Sequence, residues 1–241
     1  MKIRYLSTII FIIVNTLCTE STFAQDPKDY HPIYCDGKWK NRITCYIIPY
    51  SENGENLAKI VFTKAAAVWN QALTTAGIDL QIDVVDSQDI TDIDMVGNST
   101  STKNLLAFSD KLTGNTGERF YGAATVMKKE ILFTSEYAKF YELKVVHATI
   151  SLRSWKNDKI MTLTKETGKV SVYSTAVHEL GHLLGFYGNH DVPPKSVIAR
   201  TSDYDYNDYS GNKPLVLGAY DILLLKSMYP KVTATTCLPR P

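Results

Sequence analysis

His178-Glu179-Leu180-Gly181-His182 carries the clearest chemical content of this 241-residue chain. Two histidines four apart project from one side of a helix, so their imidazoles can hold one metal ion together. The glutamate between them stands within reach of a water on that metal. Zinc brings the pKa of such a water toward neutrality, and the carboxylate can take its proton and pass it to a leaving amine. Val177, Leu180, Leu183 and Leu184 alternate with these polar residues, which seats the helix at the edge of a core. The expected chemistry is amide hydrolysis with one Zn2+ as cofactor, His178 and His182 as ligands, and Glu179 as general base and then acid.

A zinc site needs a third protein ligand. No glutamate follows Glu179, and the other histidines are His31, His147 and His190. His190 lies just beyond the glycine that stops the helix and is the expected third ligand. Asp191 is the alternative, since carboxylates also bind zinc.

The elements that must position these groups are legible in part. Ile43 to Ile48 is β-branched and apolar enough for a strand, closed by Pro49. Asn53-Gly54 makes a turn. Leu57 to Thr75 reads as a helix with the stripe Leu57, Val61, Ala65, Val68 and Ala72, Trp69 alongside, and Gly77 as its stop. Leu80, Ile82 and Val84 alternate as a strand, and Ile93 and Met95 suggest another. Residues 97–119, rich in Gly, Ser, Thr and Asn, are expected to be largely loop. Tyr121 to Met127 and Ala148 to Leu152 are short strands. Ser174 to Gly185 is the metal helix, and Gly218 to Met228 a third helix ended by Pro230. Strands and helices mix without regular alternation, which predicts an α+β domain: a twisted mixed sheet backed by helices, then a loop-rich C-terminal part.

With His178, Glu179, His182 and Gly185 in place, the chain resembles the metzincin clan of zinc endopeptidases, particularly its matrixin-like branch. That pattern reads His-Glu-x-x-His-x-x-Gly-x-x-His. Here the last position holds Gly188, and His190 arrives two residues late. The resemblance implies that Ser196-Val197-Ile198 forms the turn beneath the metal, with Ile198 as an apolar floor where the family has methionine. Gly37-Lys38-Trp39 with Ile43 to Ile47, Ala67 to Asn70, Asp92 to Met95, and Asp221 to Pro230 are similar, in order, to the family's entry strand, first helix, following strand and closing helix. It further implies that Tyr121 to Met127 is an edge strand over the cleft, pairing with an extended protein or peptide substrate. Residues 97–146 hold no histidine, so the family's second, structural zinc is not expected.

Before residue 25 the chain reads as an export signal: Lys2 and Arg4, an apolar run from Leu6 to Leu17, and small residues near Ala24. The expected organisation is a signal peptide over 1–24, a short N-terminal segment over 25–36 that the resemblance marks as a candidate pro-segment through Asp26, Asp29 or Cys35, and a catalytic domain over 37–241. Without its signal the chain carries 24 basic and 24 acidic side chains. That balance excludes a basic footprint for nucleic acid or an anionic membrane. The expectation is a monomer that is secreted, or periplasmic. Cys35, Cys45 and Cys237 then remain, with Cys35–Cys45 the local pairing option. The acidic run Asp203 to Asp208 lacks the glycine and closing glutamate of a calcium loop, so no clear motif supports calcium. Two further functions use the same residues: a catalytically impaired metzincin-like peptide-binding protein, and a zinc hydrolase of a non-protein amide.

Overall fold

The computed structural model describes residues 34–35, 37–87, 102–109, 121–134, 139–164, 166, 169–186, 196–197, 217–229 and 238–239. In chain order the strands are β1 (Tyr34–Cys35), β2 (Ile43–Ile47), β3 (Ser51–Glu52), β4 (Glu55–Asn56), β5 (Ile82–Asp86), β6 (Asn104–Ser109), β7 (Gly122–Thr134), β8 (Lys139–Ser151), β9 (Met161–Thr162), β10 (Val170–Ser171) and β11 (Leu238–Pro239). Helix α1 spans Leu57–Ala76, α2 Val172–Leu183 and α3 Ala219–Met228, and one π-helical turn spans Arg153–Asn157. Among the described residues, five strands form one mixed sheet in the order β5-β2-β6-β8-β7. Its first four strands are parallel, and β7 runs antiparallel to β8 at one edge. Mixed sheet and helices make the chain an α+β protein.

Local chemistry accounts for the entry into the domain. Asn53 and Gly54 both adopt positive φ (54° and 81°), as the tight β3–β4 hairpin requires. The next residue pair hands the chain to α1: the Asn56 side chain accepts the Lys59 amide at 3.1 Å as its N-cap. Gly77 closes the helix in the left-handed region, with its amide on Thr74 O and that of Ile78 on Leu73 O. Asn70 then clamps α1 to β5, giving its amide to Ile82 O (2.9 Å) and accepting Ile82 N (2.8 Å).

The main core lies between the sheet and helices α1 and α2. Val61, Phe62, Trp69 and Leu73 from α1 meet Val177, Leu180 and Leu183 from α2. From the sheet come Ile43, Cys45 and Ile47 of β2, Leu106 and Phe108 of β6, and Ala148 and Ile150 of β8. The period-2 rule is visible in β6, where Leu105 and Ala107 pack with Ile48 and Tyr46 on the other face.

Two expectations are corrected. Residues 97–119 were expected to be largely loop, yet Asn104–Ser109 is the central strand, buried at every position. A strand covered on both faces reads as a short apolar run, Leu105 to Phe108, without alternation, so the polar residues around it mask it. The pairing option Cys35–Cys45 is also set aside. Cys45 is a free thiol, fully buried in β2, and burial followed by the charge of Asp83 pushes its pKa far above the ordinary range. The strand suggested by Ile93 and Met95 lies outside the described residues. No helix among the described residues is long and apolar enough to cross a membrane.

Candidate metal and catalytic site

Helix α2 starts at Val172, two residues ahead of the expected Ser174, because Ser171 is its N-cap and accepts the Ser174 amide at 3.4 Å. The helix is buried on nearly all sides, so its polar residues sit inside the protein rather than on a surface stripe. Its C-terminus is a Schellman turn: Gly185 N bonds His182 O (2.8 Å) and Phe186 N bonds Gly181 O (3.2 Å). Gly185 adopts φ 107°, and a Cβ there would lie 2.1 Å from Gly37 O. The motif glycine is thus demanded twice, by conformation and by the chain crossing it.

Three side chains anchor the backbone of this helix. Trp69 Nε1 donates to Val177 O and Trp39 Nε1 to Leu183 O, both at 2.7 Å. Tyr229 donates its hydroxyl to Leu184 O at 2.5 Å, and burial raises its phenol pKa. The entry segment, α1 and the residue after α3 therefore converge on α2. That is why residues far apart in sequence fix the orientation of its histidines.

The two imidazoles meet edge to face, with ring centroids 4.5 Å apart and an interplanar angle of 88°. His178 Nδ1 lies 2.7 Å from Val197 O, and His182 Nδ1 lies 2.7 Å from Phe186 O. A carbonyl oxygen only accepts, so each Nδ1 carries a proton and each neutral ring keeps its lone pair on Nε2. The two Nε2 atoms face each other at 2.9 Å. At that distance the pair either shares a proton or, with both rings neutral, holds a cation between them as two ligands. Two nitrogens on one tetrahedral zinc, each at ~2.0–2.1 Å, stand about 3.3 Å apart. The donor pair fits zinc within a few tenths of an ångström.

Glu179, next to His178 in the same turn, is 4% exposed. Loss of water raises its carboxyl pKa to about 8, and a divalent cation beside it would reverse that direction. The start of β7 lies directly on it. A Cβ at Gly122 would come 2.7 Å from Glu179 Oε1 and 2.8 Å from Thr149 O. Gly122 is therefore a site residue that the motif did not reveal. Its only sequence signal is a glycine opening a strand, which marks close approach of another group.

His178, Glu179 and His182 are brought together; the other expectations divide. His190, Asp191 and Ile198 lie outside the described residues. Among the described residues no third His, Cys, Asp or Glu completes a metal-holding group. Of the expected turn beneath the metal, Ser196 and Val197 are described, both fully buried, and Val197 supplies the carbonyl for His178. His147 sits inside the sheet, where its Nδ1 accepts the Leu105 amide at 3.3 Å. No protein-family model matches the chain, and no curated protein is significantly similar to it.

Proposed function

We propose that this chain is an exported zinc endopeptidase of the metzincin, matrixin-like kind. The observation that carries the reading is the pair of Nε2 atoms at 2.9 Å, each fixed as an acceptor by an Nδ1 bond to a carbonyl. His178 and His182 would hold the ion, with His190 as the proposed third ligand. When bound, zinc supplies Lewis acidity, lowering the pKa of water and polarising the scissile carbonyl. Glu179 takes the proton of the attacking water on its carboxylate and returns it to the leaving amine. Burial of that carboxylate keeps bulk water away, so the proton moves between fixed positions.

Support for a peptide substrate comes from β7. Among the described residues it pairs with β8 alone, so its far edge can offer backbone amides and carbonyls to an extended chain. Gly122 to Val126 is regular and uncharged where it passes Glu179. Beyond it, register shifts and the charged Lys128, Lys129 and Glu130 break up the edge. A substrate strand is thus confined to the part of β7 beside the carboxylate.

A second reading, a metzincin-like protein that binds peptides without cutting them, draws on the tight cover of Gly122 over Glu179. Casein and a peptide library, with and without chelator, separate the readings. The proposal expects chelator-sensitive cleavage inside chains, abolished in Glu179→Ala while zinc stays bound. Cleavage that persists in that variant contradicts the role of Glu179, and binding without cleavage by the native chain favours the second reading.

A further inference from the structure

One fully buried carboxylate takes no part in the chemistry above. Asp221 lies in the first turn of α3 and is 0% exposed. Its Oδ2 accepts the Gly218 amide at 3.1 Å, the reciprocal bond of a helix N-terminus. Its Oδ1 does something else. It accepts the Ser196 hydroxyl at 2.6 Å and the Val197 amide at 3.1 Å, 25 and 24 residues back along the chain. Ser196 is fully buried as well. Val197 is the residue whose carbonyl takes the His178 Nδ1 proton at 2.7 Å.

We propose that Asp221 is a positioning residue for the metal site, acting through the Ser196–Val197 backbone to hold the imidazole of His178. The inference rests on the zinc reading of His178 and His182. Asp221 fixes the peptide on the N-terminal side of Val197, and Val197 O fixes both the tautomer and the ring plane of His178. A helix cap alone needs only the Gly218 bond. The second oxygen, spent on a distant segment that ends at a ligand, is what marks the different role. Outer-shell partners of metal-binding histidines set ligand orientation, and losing one weakens metal binding by ~10–100-fold. Asp221 stands one link further out than such a partner, so the expected loss is about tenfold.

The test uses the full chain. Zinc affinity is measured by competition with a chromophoric chelator, and the visible spectrum of the Co2+-loaded protein reports ligand geometry. Asp221→Asn keeps an acceptor for Val197 but loses the charge. It is expected to weaken zinc binding about tenfold and to change the cobalt d–d bands. The same substitution in a His178→Ala background is expected to cost nothing further, while in a His182→Ala background it keeps its effect. Such a pattern assigns the coupling to His178. If Asp221→Asn does not fold, Ser196→Ala takes its place, with a smaller loss in the same direction. Unchanged zinc affinity and cobalt spectrum, or an equal loss in the His178→Ala background, overturns the positioning role. Failure of the native chain to bind zinc overturns the zinc reading itself.

Discussion

Gly185→Ala and Gly54→Ala form a matched pair, because both glycines have positive φ, 107° and 81°, but only one is crowded. An L-residue in the left-handed region costs ~1–2 kcal/mol, which both variants incur. At Gly54 nothing lies within 4 Å of the new Cβ, so the cost should end there. At Gly185 the Cβ would come 2.1 Å from Gly37 O and 3.2 Å from Leu143 Cδ1. Backbone oxygen cannot swing aside as a side chain can, so overpacking adds ~1–3 kcal/mol. The totals are then about 2–5 kcal/mol for Gly185→Ala against ~1–2 kcal/mol for Gly54→Ala. Urea unfolding of the metal-free proteins measures the difference directly. Phe186 O, next in sequence, holds His182, so Gly185→Ala should also weaken zinc binding while Gly54→Ala leaves it unchanged. Equal destabilisation by the two substitutions would refute the claim that the motif glycine is fixed by the Gly37 crossing.

Two further predictions test the interior. Cys45 should resist alkylation in the native protein and react once it is unfolded, since its thiol is buried and its pKa raised; rapid native labelling followed by mass spectrometry would contradict this. Burial lowers the pKa of His147, so the folded state favours its neutral form. The stability this group contributes is present above its unfolded value of ~6.5 and is lost as pH falls through the lower folded value. Asn can still accept the Leu105 amide, so His147→Asn should show a shallower loss of stability in acid. Parallel pH profiles for the two proteins would count against it.

Much of the frame could be read from residues because the signals were local. Gly77 and Gly185 end their helices where the pattern put them, and Asn53-Gly54 turns as expected. Helix α2 with its pair of histidines was legible for the same reason, since i,i+4 spacing is a property of one segment. What escaped detection depends on partners distant in sequence. β6 is apolar only at its centre and is identified as a strand by β2 and β8 on either side. β7 and β8 run well beyond their expected bounds because each extends the other as a hairpin through polar residues such as Lys128 and Glu142. Gly122 and Asp221 look ordinary as a strand opener and a helix-start acid. Their contacts to Glu179 and to Ser196–Val197 exist only once the chain has folded.

The central claim is that His178 and His182 present Nε2 to one zinc ion. Anomalous diffraction from crystals of the zinc-loaded chain, recorded on both sides of the zinc absorption edge, tests it most directly. The account predicts a single strong peak within bonding distance of both Nε2 atoms, lost in His178→Ala. Absence of a peak there from zinc-loaded crystals, or a peak bound elsewhere on the chain, would contradict it.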